Sequence, residues 1–173
     1  RPFTFTSLPD DKEIEFVIKT YPSHKGVTNQ LLSLTIDDEL FLHEVFGDIN
    51  YKGEGVFIAG GAGVTPFIAI FKQLEKDDKI GNNKLIFANK TKADIILEEK
   101  FSHLLGSNFI NILSEEKKSG YEHGFISASL IEKYINGNTN YFYLCGPEPM
   151  MQQVEKELAA LGIAGEQIVK EAF

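Results

Sequence analysis

Over the first fifty residues apolar side chains alternate with polar ones, the spacing of a strand with one buried face. Phe3, Phe5 and Ser7 alternate with smaller or polar neighbours, and residues 13–19 combine alternation with a short apolar run through Phe16, Val17 and Ile18. The cluster Pro22-Ser23-His24-Lys25-Gly26 reads as a turn. Thr28 is the expected N-cap of a short helix carrying Leu31, Leu32 and Leu34. A turn at Asp37-Asp38-Glu39 and a strand over 40–44 follow. Residues 1–53 therefore read as the tail end of a small antiparallel barrel.

After Gly53 the pattern changes. Gly55-Val56-Phe57-Ile58-Ala59 is a continuous apolar run ending in glycines, which predicts a strand buried on both faces of a parallel sheet. Thr65 is the expected N-cap of the next helix, with Pro66 at its first position. Phe67, Ile70, Phe71 and Leu74 then fall on one face. The alternation repeats, with strands over 84–88, 109–113, 141–144 and 168–169. Helices are expected over 93–105, ending at Gly106, over 130–135 with a capping box in Ser129 and Glu132, and over 149–161, stopping at Gly162. Strands alternating with helices predict an α/β fold over 54–173, a doubly wound parallel sheet of the five-stranded nucleotide-binding type.

Composition narrows the function. Of 173 residues 43% are hydrophobic and 24% charged, a globular balance. No apolar run reaches the ~18–20 residues of a membrane span. No charged-then-apolar leader opens the chain, so a cytoplasmic location is expected. The first residue is not Met, and upstream sequence is expected. A net charge of −8 argues against a nucleic-acid backbone binder. The single cysteine excludes an internal disulfide and a four-cysteine metal site. Arg1 is the one arginine beside sixteen lysines, so bidentate phosphate recognition is available at one place. His24, His43 and His103 have no metal-ligand spacing, and no metal site is expected.

Three patterns carry candidate chemistry. Gly60-Gly61-Ala62-Gly63-Val64-Thr65-Pro66 lies between a buried strand and a helix, where glycines admit a phosphate or ring and the helix start offers free N–H groups. It is not the usual dinucleotide fingerprint, since no acidic residue follows ~20 positions later at a strand end. A tight turn needing glycine only for packing is the competing reading. Cys145-Gly146-Pro147 follows a second buried strand, where a thiol would point into the ligand crevice or simply fill the core. Only His123 is near enough in sequence to activate it, and nothing places it there. Third, Arg1-Pro2-Phe3-Thr4 and Lys25-Gly26-Val27-Thr28 supply a guanidinium, an aromatic plane and hydroxyls ahead of a helix start.

Taken in order, these motifs and the terminal Glu171-Ala172-Phe173 resemble the ferredoxin–NADP reductase superfamily, in its bacterial flavodoxin-reductase-like branch. Phe3 replaces the usual Tyr, the spacing over 26–28 is one residue short, and the family's earlier barrel strands do not precede Arg1. The resemblance implies that 1–53 is the C-terminal portion of an FAD-binding barrel and 54–173 an NAD(P)-binding domain. It further implies that Arg1 binds the FAD pyrophosphate, Phe3 stacks on the isoalloxazine, and Thr4 bonds near its reactive nitrogen. Pro2, Ile18, Lys19, Lys25, Gly26, Val27 and Thr28 complete the FAD side. Gly61, Gly63, Thr65, Pro66, Asn89, Lys90, Gly146, Pro147 and Met150 seat the nicotinamide nucleotide. Cys145 sits near the transferring carbon, Glu171 joins it among the catalytic residues, and Phe173 covers the flavin face that nicotinamide occupies.

The implied activity is transfer of hydride from NAD(P)H to FAD and of single electrons to a protein acceptor. That acceptor would be a ferredoxin, a flavodoxin or an oxygenase component. A nucleotide-binding regulatory module without redox activity is the alternative. NADH is the expected donor over NADPH, because Asn89-Lys90-Thr91-Lys92 and Ser114-Glu115-Glu116 lack arginine and place glutamates beside the lysines.

Overall fold

A computed structural model describes residues 2–21, 26–135 and 139–171. Arg1, Lys25 and Phe173, expected at the cofactor, lie outside the described residues. Six parallel strands among the described residues form one sheet: β1 (Gly55–Gly60), β2 (Lys84–Asn89), β3 (Phe109–Leu113), β4 (Glu122–His123), β5 (Tyr141–Cys145) and β6 (Ile168–Lys170). Their order is β4-β3-β2-β1-β5-β6. The sheet has one strand more than the five expected. β4 is two residues long, set by Ile112 against Glu122 and Leu113 against His123, too short for any period to announce it.

Among the described residues five α-helices complete the fold: α1 (Val27–Gln30), α2 (Thr65–Lys76), α3 (Glu98–Leu105), α4 (Ala128–Glu132) and α5 (Glu148–Ala160). From β1 the chain steps outward through β2, β3 and β4, then returns to lay β5 on the other flank of β1. Right-handed crossovers in opposite directions place helices on opposite faces. Phe67 and Phe71 of α2 and Phe101 and Leu105 of α3 therefore cover one face, around Phe57, Phe87 and Tyr143. Leu130 and Ile131 of α4 and Val154 and Leu158 of α5 cover the other, around Ile58, Ile86 and Leu144. Phe57 anchors the first core, stacked on Tyr143 with ring centroids 4.2 Å apart and edge-on to Phe67 at 5.1 Å. Each such pair adds about 0.5–1.5 kcal/mol beyond its buried area.

Several predicted boundaries move. Thr65 is the first residue of α2 rather than its cap; Val64 caps it, and the Thr65 hydroxyl donates to the Ala62 carbonyl at 3.0 Å. Thr28 likewise lies inside α1, which Gly26 caps. The helix expected over 93–105 splits into a 3-10 turn at Lys92–Asp94 and α3, because Leu97 adopts a left-handed φ of 53° between them. The capping box assigned to Ser129 and Glu132 gives way to Ser127, whose hydroxyl accepts from the Leu130 amide. The helix ends accordingly at Glu132.

The described part of 2–53 contains one antiparallel bridge, Phe5 to Phe16, and the expected strand at 40–44 does not form. An alternating segment makes a ladder only when a neighbour supplies the facing row of amides and carbonyls. Without one, Ile36, Phe41, Val45 and Phe46 stand largely exposed. The segment is nonetheless tied to the α/β domain. Glu15 pairs with Lys72 at 2.7 Å, Lys19 with Asp94 at 2.9 Å and Asp10 with Lys76 at 3.2 Å. The buried Tyr143 hydroxyl holds the linker. It accepts from the Lys52 and Gly53 amides at 2.8 and 3.0 Å and donates to the Gly53 carbonyl at 2.7 Å.

Candidate functional site

In an open parallel sheet, ligands bind where successive crossovers diverge, beyond the carboxyl ends of the strands. Here that point lies between β1 and β5, with Ala59 in register with Cys145. The loop 60–66 leaves β1 and the loop after Cys145 leaves β5, so the two strongest sequence motifs meet at the switch point. They meet backbone to backbone. A Cβ on Gly63 would lie 2.3 Å from the Cys145 carbonyl oxygen, and one on Gly60 would lie 2.3 Å from the Met150 sulfur. Gly63, crowded by backbone, is thus required for loop-on-loop packing, whereas at Gly60 the nearest atom belongs to the flexible end of the Met150 side chain. Gly61 differs: its φ is +51° and no atom crowds the Cβ position, so it serves the turn and leaves open space above.

That turn, Gly61–Val64, runs into α2 with no side-chain cap and no acidic residue in the first turn of either element. The leading N–H groups are left for an anion, with the positive end of the α2 dipole behind them. Gly61, Gly63, Thr65, Pro66, Cys145, Gly146, Pro147 and Met150 thus lie on two adjoining loops at the β1/β5 edge.

Cys145 is held as a neutral thiol. Burial, reinforced by the charge of Glu171, pushes it up to about 11. His123 offers no activation, since it sits on β4, four strand spacings or about 19 Å across the sheet. Glu171 follows β6 and turns toward the linker: its carboxylate accepts from the Asp48 amide at 3.0 Å and would contact a Cβ on Gly47 at 3.2 Å. A separation of 123 residues hides this contact from any reading of spacing.

On the other flank, Asn89 and Lys90 end β2 beside the loop that ends β3. The Ser114 amide donates to the Asn89 carbonyl at 3.0 Å and the Glu115 amide to the Lys90 carbonyl at 2.9 Å. Three lysines along this edge each have a partner of opposite charge. Lys90 pairs with Glu115 at 2.8 Å, Lys92 with Glu98 at 3.6 Å and Lys118 with Glu116 at 3.8 Å. The Lys90 ammonium is held up by its hydrogen bond to Glu115, and that of Lys92 by Tyr121 and then Glu98. Lys19, expected at a cofactor, is instead engaged with Asp94, whose carboxyl is lowered by that contact and by the Thr91 hydroxyl. Pro2, Phe3 and Thr4 are exposed ahead of the Phe5–Phe16 bridge, while Ile18 is half-buried and Gly26, Val27 and Thr28 form the start of α1. No described contact joins this group to the crevice.

Comparison with known proteins agrees with this geometry. The chain is 28% identical to NADH-cytochrome b5 reductase 2 of Mycosarcoma maydis over 182 residues, covering 96% of this chain and 51% of that protein. It is also 28% identical to NADH-cytochrome b5 reductase 1 of Bos taurus over 190 residues, covering 88% of this chain and 62% of that one. The matched region is thus less than two thirds of either relative's own length. Its fold matches the flavohem-like FAD/NAD-binding domain of nitric oxide dioxygenase from Vibrio cholerae, with a TM-score of 0.79 at 21% identity over 100% of this chain and 76% of that one. No helix among the described residues is long and apolar enough to cross a membrane. The profile of the oxidoreductase NAD-binding domain matches residues 57–156, from the first buried strand through the Cys145 loop into α5. The chain therefore belongs to the oxidoreductase NAD-binding domain family, within the ferredoxin reductase-like superfamily.

Proposed function

We propose that this chain is the nucleotide-handling portion of a flavin-dependent oxidoreductase that oxidises NADH and delivers electrons to a small electron-carrier protein or an oxygenase component. The observation that carries the reading is the meeting of the 60–66 and 145–150 loops at the β1/β5 switch point, over an uncapped α2 N-terminus. The dinucleotide's pyrophosphate would lie on the free N–H groups of the Gly61–Val64 turn, and its nicotinamide beside Cys145. The buried neutral thiol offers that ring a small, polarisable contact. NADH gives up a hydride and FAD, when bound, separates the pair into single electrons. The chain's own residues hold and orient the donor.

In this reading residues 1–53 are the C-terminal portion of the FAD-binding unit and 54–173 the NAD(P)-binding domain. Arg1, Pro2, Phe3, Thr4, Lys25, Gly26, Val27 and Thr28 would face FAD, and Phe173 would cover its exposed ring. NADH is favoured because a 2′-phosphate near Lys90 or Lys92 has to displace a carboxylate already in place. Calorimetric titration with NAD+ and turnover with NADH and an artificial acceptor test the proposal. Micromolar binding with turnover is expected. Binding without turnover would leave a nucleotide-binding regulatory module, and no binding would overturn the reading.

A further inference from the structure

The chain holds two methionines, Met150 and Met151, adjacent in the first turn of α5. Both are partly exposed, and both back onto the core around Ile58 and Leu144. They differ in what their side chains support. A Cβ on Gly60 would lie 2.3 Å from the Met150 sulfur and 3.3 Å from its methyl, and one on Gly146 would lie 3.2 Å from the same methyl. The Met150 thioether thus fills the space that two glycines leave, one ending β1 and the other in the loop that leaves β5. The backbones are close at this point, since that Cβ on Gly146 would lie 3.1 Å from the Gly60 nitrogen. Met150 is therefore a wedge at the junction of the two crevice loops, and it reaches them from beside the exposed stretch Pro147-Glu148-Pro149.

The chain's one other type of sulfur is at the same junction, and it is poorly suited to meet an oxidant. Peroxides attack thiolates, whereas burial holds the Cys145 thiol neutral, pushed up to about 11. A thioether has no proton to lose, so its lone pair is available at any pH.

We infer that Met150 is a site of reversible oxidation, at which a hydroperoxide transfers oxygen to the thioether and so loosens the junction of the two loops. The sulfur lone pair attacks one peroxide oxygen, and an S–O bond forms as the O–O bond breaks. With hydrogen peroxide, the departing hydroxide removes the proton of the transferred hydroxyl and leaves as water. Sulfur is oxidised by two electrons, which the peroxide gains. The product is a sulfoxide, polar where the thioether was apolar. Its new oxygen needs a donor. Pro147, whose Cδ would lie 3.0 Å from a Cβ on Gly60, has no N–H to give, and the cluster of Ile58 and Leu144 behind it is apolar. An unpaired polar group is costly to keep there. The oxidised side chain therefore turns to solvent, and the wedge is withdrawn from Gly60 and Gly146. The consequence for nucleotide binding rests on the functional reading above; the oxidation and the loosening do not.

The test treats the wild-type chain, Met150→Leu and Met151→Leu with hydrogen peroxide and compares each protein with its own untreated form. Peptide mass spectrometry locates the added oxygen, thermal melts read the loops, and calorimetry with NAD+ reads the crevice. In the wild type and in Met151→Leu, oxygen on Met150 should lower the melting temperature by about 3–6 °C and weaken NAD+ binding about tenfold. Met150→Leu keeps the volume but has no lone pair, and should show neither loss. Sulfoxide reductases acting on both epimers should restore the oxidised wild type, a readout that stands even if Met150→Leu does not fold. Oxygen found on Met151 alone overturns the inference. So does an oxidised Met150 with melting temperature and affinity unchanged, or an equal loss in Met150→Leu. Failure of the untreated wild type to bind NAD+ would instead remove the functional reading, while the oxygen map and the melts would still decide the fate of Met150.

Discussion

Replacing Gly63 by alanine tests whether the site is built by two loops in backbone contact. The added methyl would sit 2.3 Å from the Cys145 carbonyl oxygen, 2.5 Å from its carbon and 2.6 Å from Gly146 Cα. None of these atoms belongs to a side chain that can rotate away, so the loops must part. Overpacking costs about 1–3 kcal/mol, and a clash with backbone on three sides belongs at the upper end. For a chain of this size about 3 kcal/mol lowers the melting temperature by roughly 6–12 °C. Two further substitutions calibrate the effect. Gly61→Ala meets no atom but keeps φ at +51°, a strain of about 1–2 kcal/mol, and should cost less. Gly165→Ala meets neither obstacle and should not destabilise. Melts followed by circular dichroism give the order, and NAD+ titration should show Gly63→Ala the weakest binder of the three. A Gly63→Ala melt within about 2 °C of wild type, with unchanged NAD+ affinity, would refute the loop contact.

Three other outcomes follow from the site and its supports. Cys145→Ala should slow hydride transfer in stopped-flow reduction while leaving nucleotide affinity largely intact, and the wild-type thiol should resist alkylation at neutral pH because it titrates near about 11. Glu115→Gln frees Lys90 from its exposed pair, so the kcat/KM ratio of NADPH to NADH should rise, by no more than about fivefold. Acid should loosen the attachment of the first fifty residues. Lys72 and Thr6 hold Glu15 below the ordinary carboxylate range, and Lys19 and Thr91 do the same for Asp94. A carboxyl lowered in the folded state adds stability above its unfolded pKa and loses it as pH falls through the folded value. Melts from about pH 7 to below pH 4 should therefore converge for wild type and the Glu15→Gln, Asp94→Asn double variant, with wild type higher only at the neutral end.

What the sequence reveals depends on how local the cause is. The run over 55–59 identifies β1 because burial on both faces leaves no polar position. The two glycine-bearing loops are visible for the same reason, each following such a strand. The helix caps at Thr28 and Thr65 mislead, since a hydroxyl near a helix start competes with a turn that sets the boundary one or two residues earlier. The strands expected over 13–19 and 40–44 depend on partners that alternation within one segment cannot supply. The contacts made by Glu171, Tyr143 and Lys19 join residues far apart in the chain and have no local signature. The amide of Asn89, unpaired among the described residues, appears only once the face it shares with Phe87 is known.

The clamp that Tyr143 places on the linker also fixes an order of events. Tyr143 and Lys52 are 91 residues apart, and β5, which carries Tyr143, is the second flank of β1. During synthesis at about 5–20 residues per second, roughly 5–18 s pass between the emergence of the linker and of its clamp. Through that interval β1 can pair only with β2, Phe57 lacks the Tyr143 ring that stacks on it at 4.2 Å, and the Gly63 turn has no Cys145 backbone to rest on. The nucleotide crevice is thus among the last features of the nascent chain to exist, and the nucleotide cannot act as a template for the strands that precede it. Its stabilising influence begins only once β5 is home, acting as a brake on unfolding rather than as an aid to folding.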